Sequence, residues 1–403
     1  MRYFEYLTPD LEESLFYSRP MHFNRSTGKD LLAYAVGAAL YMPATRPQAA
    51  ESIWELKKNE GLIAAILDLE DAVGDLEAAE AEERAILHLA RLAELAEREE
   101  DPGADLPLLF IRVRNPRQLR RLIRRLDSLI LLLTGFVFPK FTVEDGGEYL
   151  EAVADYNRSR LAGTPPLYGM PILESKEILY RESRLDSLLS VRELLSAYRE
   201  QVLNVRIGAT DFSSAFGLRR SAGTSIYELA PIRDCISDII NLFGRAEDGY
   251  VISGPVWEYF ASRGGPGLRF RPDEQPLGGL PPQGLAGVLR PNRLNTLNGL
   301  IRETLLDKEN GIVGKTVIHP SHLKPVQALY AVTHEEYIDA KGIMESTDGS
   351  LGVFKSMYHN KMNEIKPHLN WARRILIRSQ IYGVLHEEQH FSGLLPEYAY
   401  AHV

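Results

Sequence analysis

The chain repeats one unit eight times: a short apolar run, a turn, then a longer amphipathic stretch. The apolar runs are "GAALYMP" (37–43), "LIAAILDLED" (62–71), "LPLLFIRVR" (106–114), "GFVFPKF" (135–141), "PLYGMPILE" (166–174), "LNVRIGATD" (203–211), "GYVISGP" (249–255) and "GKTVIHP" (314–320). Continuous apolarity, rather than alternation, marks strands buried on both faces. Strands separated by helices pair in parallel through right-handed crossovers. Eight such units predict a closed (β/α)8 TIM barrel of the α/β class over residues 1–330, with an open doubly wound sheet as second choice.

In a barrel, the C-terminal ends of all strands meet on one face, where active sites form. The runs end in Asp68, Glu70 and Asp71, then Arg112 and Arg114, Lys140, Glu174, Asp211 and His319. Residues far apart in sequence can thus share one pocket. Glu174 and Asp211 are the best metal candidates, because two carboxylates at adjacent strand ends are hard oxygen ligands suited to Mg2+. The spacing equally allows each to cap a following helix. Asp75 is placed as the N-cap of the long helix that starts at Leu76.

Residues 1–34 precede the first strand and are expected to pack on the barrel. An insertion over about 255–292 contains the Pro/Gly-rich "GGPGLRFRPDEQPLGGLPPQG" (264–284), a surface excursion or a lid. Residues 331–403 form a helical C-terminal extension carrying "EEYIDAKGIM" and "NWARRILIRSQIYGVL".

Other motifs are weaker. "GIVGKT" (311–316) lacks the earlier glycine of a P-loop, Glu309 standing there, and runs into a strand instead of a helix. "HEEQH" (386–390) fits the zincin pattern on a helix, with His386, Glu387 and His390 on one face. Its third ligand is missing, Pro396 occupying the expected position, so a zinc hydrolase is the lesser alternative. Arg117, Arg120, Arg121, Arg124 and Arg125 form one helical stripe, read as a solvated outer face.

A net charge of −9 and a pI near 5.7 argue against bulk binding to nucleic acid or anionic membranes. The lone Cys235 excludes an intrachain disulfide and fits a reducing cytoplasm. The N-terminus is mixed and acidic, unlike a signal peptide, and "LLAYAVGAALYMP" is too short to span a bilayer. A cytoplasmic protein is expected.

Taken in order, "LYMPATRP", "AILDLEDAV", "FIRVRNP", "FVFPKF", "PILES", "RIGATDF", "GKTVIHPSHLKPV" and "EEYIDAKGIM" resemble the HpcH/HpaI aldolase and citrate lyase β-subunit superfamily over residues 35–375. "MRYFEYL" and "NKMNEIKPHLNWARRIL" are more similar to its carbon–carbon lyase branch associated with tellurium resistance. The resemblance implies a Mg2+-dependent barrel (Mn2+ being the alternative ion) that cleaves or forms C–C bonds in 2-oxo acids or acyl-CoA thioesters. It implies Glu174 and Asp211 as metal ligands and Arg112 as a catalytic group clamping the substrate carboxylate. Arg114, Lys140, Glu70 and Asp71 are its substrate-binding or supporting groups, Arg114 standing where the family has Asn. It implies a homo-oligomer, trimer or hexamer, in which the extension covers a neighbouring subunit's site. Glu364 of "NKMNE" stands where relatives place a catalytic Asp acting in that neighbour. The alternative from another class is a non-catalytic scaffold barrel in a stress-response assembly.

Overall fold

The computed structural model describes residues 1–98, 106–260, 293–349 and 351–395, with side chains of 293–296 left out. The Pro/Gly-rich stretch 264–284 and Pro396 lie outside the described residues.

All eight apolar runs form strands: β1 (Ala38–Pro43), β2 (Ala64–Asp68), β3 (Leu108–Arg112), β4 (Leu133–Phe138), β5 (Tyr168–Leu173), β6 (Val205–Ile207), β7 (Ile252–Ser253) and β8 (Lys315–Val317). They pair in parallel in the order β7-β6-β5-β4-β3-β2-β1-β8. A parallel bridge between Gly254 and Lys315 joins the two ends and closes the barrel. The strands are buried on both faces, which is why they read as unbroken apolar runs.

Cross-strand register fixes which side chains face inward. Pro43 lies beside Asp68, Asp68 beside Arg112 and Arg112 beside Val137. Val137 lies beside Met170, and two residues on from it Ile172 lies beside Arg206. Partners in register share a face and residues two apart share a face. Tyr41, Asp68, Arg112, Glu174 and Arg206 therefore line one side, the barrel lumen.

Several local expectations are corrected. Asp75 caps no helix: it opens a single 3-10 turn (Asp75–Glu77) before the helix Ala78–Glu97, and its carboxylate is taken by Arg114 at 2.6 Å. "HEEQH" is not helical. The helix Ile365–Tyr382 stops at Gly383, whose φ of +74° admits glycine readily, and the chain enters a short strand, Val384–Leu385, before a turn. His386 and His390 thus share no helix face, which removes the zincin geometry. The Arg stripe is not merely solvated, since Arg121 and Arg125 both bind the buried carboxylate of Glu82 on the neighbouring helix.

In the C-terminal part, helices His334–Glu345 and Ile365–Tyr382 pack around a small core of Val332, Ala340, Ile343, Ala372, Ile375 and Val384. A hairpin, Val353–Lys355 with Met362–Glu364, lies between them. Val384–Leu385 pairs antiparallel with Phe16–Ser18, and the Tyr3 and Tyr382 rings meet at 4.4 Å. The two ends of the chain are thus laced together. Among the described residues no helix is long and apolar enough to cross a membrane.

Candidate active site

Five consecutive strand ends, β2 to β6, bring Glu70, Asp71, Arg112, Lys140, Glu174 and Asp211 into one connected cluster. Asp68, the last residue of β2, is buried and grips Arg112 by two parallel bonds, Nε to Oδ1 at 2.7 Å and Nη2 to Oδ2 at 2.5 Å. The remaining nitrogen of Arg112, Nη1, reaches Glu70 at 3.1 Å and Asp71 at 3.3 Å. Burial works against the guanidinium charge, but the Asp68 bonds outweigh it and hold the Arg112 pKa above its ordinary value. The bidentate pair expected for a substrate carboxylate is thus made inside the protein.

Lys140 bridges the acidic loop to the next strand end. Its ammonium binds Glu70 and, at 3.1 Å, Asp71, while its backbone N–H donates to Glu174 Oε1 at 2.8 Å. Lys140 sits at φ +46°, a left-handed conformation that costs a non-glycine residue roughly 1–3 kcal/mol and clusters at functional sites. Burial and then the bond to Asp71 raise the Glu70 pKa. Burial opposes the Lys140 charge, yet the two carboxylates keep its pKa above the usual lysine value.

Glu174 is buried, and burial, followed by the nearby charge of Asp211, pushes its pKa up to about 8. Burial likewise raises Asp211. Neither acts as a cap: the helices Lys176–Leu179 and Ala209–Ala215 have no side-chain cap bond, and Ser175 and Gly208 hold their cap positions. Nor does either form an ion pair among the described residues. A Cβ on Gly208 would meet Glu174 Cβ at 2.5 Å, so the glycine makes room for the glutamate to seat.

Two carboxyls held side by side, neither in an ion pair among the described residues, fit a divalent cation. The donor set fits Mg2+, which binds through one or two carboxylates and keeps waters. Among the described residues no group of three or more His, Cys, Asp or Glu is arranged to hold a metal.

Three predicted residues stand elsewhere. The guanidinium of Arg114 binds the Leu69 and Val73 carbonyls and Asp75, each at 2.6 Å, and so clasps the acidic loop 69–75. His319 caps the turn Pro320–His322 and stacks on Phe260. Glu364 is exposed at the end of the hairpin strand Met362–Glu364, and no bond among the described residues ties it to Glu174 or Asp211. Lys315 of "GKT" is fully buried between Glu303 and Asp307, at 3.0 and 2.7 Å, a structural pairing and not a phosphate site.

Sequence reasoning passed over Tyr41 and Arg206. The Tyr41 ring lies 5.4 Å from the Arg112 guanidinium carbon and 5.7 Å from that of Arg206. The available signal was a single basic residue in the middle of the apolar run "LNVRIGA".

The mouth of this parallel barrel thus carries two carboxyls side by side that form no ion pair among the described residues. The chain belongs to the C–C bond lyase family of the TIM-barrel fold, which matches it over residues 30–384. This accords with the resemblance to the HpcH/HpaI and citrate lyase β-like superfamily. Among curated proteins none matches. Among solved structures, a citrate lyase from Burkholderia xenovorans LB400 is 16% identical, with 89% of this chain and 95% of that one covered at a TM-score of 0.58. The protein CitE from Mycobacterium tuberculosis, solved with magnesium, acetoacetate and coenzyme A, is 18% identical over 86% of this chain and 99% of that one, at a TM-score of 0.47. At such identities the Burkholderia likeness speaks for the barrel fold alone.

Proposed function

We infer that this chain is a Mg2+-dependent C–C bond lyase acting on a 2-oxo acid or an acyl-CoA thioester, with Glu174 and Asp211 as the metal ligands. The observation that carries this reading is the pair of carboxyls at the ends of β5 and β6, buried or half-buried, that neither cap a helix nor meet a basic side chain. A bound Mg2+ supplies stabilisation of negative charge on a substrate oxygen as the C–C bond breaks.

The chain's own groups prepare that site. The Lys140 backbone N–H orients Glu174, leaving its other oxygen for a ligand. Arg112, fixed by Asp68, holds Glu70 and Asp71 in place and keeps a positive charge beside the pocket. Lys140, about half exposed, is the basic side chain of the mouth with access to solvent, where a substrate carboxylate arrives. Proton transfer falls to Glu364 of a second copy, since in its own chain it stands exposed on the hairpin; this reading needs a homo-oligomer. Magnesium titration and turnover of oxaloacetate test it. The Glu174→Gln/Asp211→Asn double variant is expected to lose both Mg2+ binding and metal-dependent turnover. Full retention of both would overturn Glu174 and Asp211 as the ligands, and wild-type protein that neither binds Mg2+ nor turns over oxaloacetate would leave the scaffold reading in its place.

A further inference from the structure

A TIM-barrel lumen is ordinarily filled with branched apolar side chains. Here one side of it is polar. Arg206 of β6 shares the inward face with Ile172 and Glu174 of β5, and Ser253 of β7 lies beside it in register. Asn204, two residues earlier, shares that face. Thr316 of β8 lies beside Ala39 of β1, two residues before Tyr41, and so faces inward too.

Arg206 is 1% exposed. Its Nη2 donates to Thr316 Oγ1 at 2.7 Å, and Nε and Nη1 have no partner among the described residues. No carboxylate forms an ion pair with it there. Around it the Tyr41 hydroxyl, both amide atoms of Asn204 and the Ser253 hydroxyl are also buried without a partner. An unpaired buried guanidinium is among the costliest arrangements a protein can hold, and one beside three further unsatisfied groups marks a place built for something absent. Tyr41 connects this place to the mouth, because its ring lies within reach of both Arg112 and Arg206.

We propose that Arg206, with Asn204, Ser253 and Tyr41, is the receptor for a substrate carboxylate that enters the barrel lumen beneath the metal site. The two guanidinium nitrogens without partners, Nε and Nη1, offer N–H donors to a planar oxyanion, and the amide and hydroxyls complete its shell. A carboxylate suits the place better than a phosphate, because Asp68 and Glu174 on the same inward face disfavour a second negative charge. Arg112 cannot take this role while Asp68, Glu70 and Asp71 occupy all its nitrogens. The preferred substrate is therefore a small acid with two carboxylates, one at the mouth and one on Arg206. This specificity rests on the lyase reading above, but the lumen site is testable apart from it.

Calorimetry with oxaloacetate and with pyruvate, each with Mg2+, compares a two-carboxylate acid with its one-carboxylate counterpart. Wild-type protein is expected to bind oxaloacetate about 10- to 100-fold more tightly, the value of charge-assisted bonds to one carboxylate. Arg206→Met is expected to erase that preference while Mg2+ affinity stays unchanged, and Arg206→Lys to restore part of it. The ligand-free thermal midpoint of Arg206→Met should equal or exceed wild type, since the variant removes an uncompensated buried charge. Malonate titration in EDTA separates the two readings. Malonate binding that depends on Arg206, in a protein that binds no Mg2+, sinks the metal reading and keeps the receptor. Normal Mg2+ binding with equal oxaloacetate affinity in wild type and Arg206→Met overturns the receptor alone. A marked fall in the midpoint of both variants makes Arg206 a structural group and also overturns it.

Discussion

Gly208→Ala probes the candidate metal site without touching a ligand. The backbone there is at φ −101°, outside the left-handed region that favours glycine, so the change acts chiefly through its methyl group. That methyl would meet Glu174 Oε2 at 2.0 Å and Cβ at 2.5 Å, where ordinary contact begins at 3.4 Å. The glutamate must therefore withdraw by about 0.9 Å at Cβ and about 1.4 Å at its carboxylate. Its carboxylate is anchored by the Lys140 N–H at 2.8 Å, so the side chain cannot swing aside and keep its place. Metal–ligand distances tolerate only about 0.2 Å. Loss of one good ligand should lower Mg2+ affinity by at least about 10-fold, or roughly 1.4 kcal/mol. Calorimetric titration reads the affinity, and the thermal midpoint in EDTA confirms that the barrel persists. Wild-type Mg2+ affinity in folded Gly208→Ala would refute the reasoning, because Glu174 then either does not bind the ion or is not seated against Gly208.

Two further outcomes concern stability and pH. Lys315→Met leaves Glu303 and Asp307 facing each other in a fully buried site, and breaking such a pairing costs about 3–5 kcal/mol. The thermal midpoint should fall and largely recover in the double variant Lys315→Met/Asp307→Asn, which leaves Glu303 paired with Arg220; no fall would mean that the lysine is dispensable. Burial, with the charge of His319, pushes the His322 pKa down to about 4 from an ordinary 6.5. The unfolded chain thus takes up a proton below pH 6.5 that the folded chain refuses, so stability is full above 6.5 and declines as pH falls toward 4. The slope is about 1.4 kcal/mol per pH unit for one proton. The stability difference between wild type and His322→Gln should change with this slope between pH 6.5 and 5, since the raised Glu174 titrates alike in both.

The barrel was legible because its strands are buried on both faces, leaving unbroken apolar runs that the described structure reproduces one for one. The carboxylates at strand ends were legible for the same reason, as polar residues stop such runs. Pairing was not legible. Nothing local says that Arg112 answers to Asp68 or that Arg114 draws Asp75 away from a helix cap, since both contacts cross from the end of β3 to the end of β2 and the loop after it. Gly383 looked like one residue inside an amphipathic pattern; only its positive φ reveals that the helix ends there and "HEEQH" starts from a strand. Arg206 was hidden by its neighbours, a single charge in an apolar run, and its meaning depends on what three other strands bring to it.

The seam between β1 and β8 sets a schedule for the nascent chain. Strand β1 is complete at Pro43, but its outer edge stays unpaired until Val317 has emerged from the ribosome. At about 5–20 residues per second that interval lasts roughly 15–50 s. Throughout it the growing sheet carries an open apolar edge of the kind that recruits other strands. Phe16 waits longer still, for Leu385. The demand for chaperone cover therefore falls on the half-built barrel, and a ribosome pause placed before residue 315 should increase aggregation more than one placed after 317.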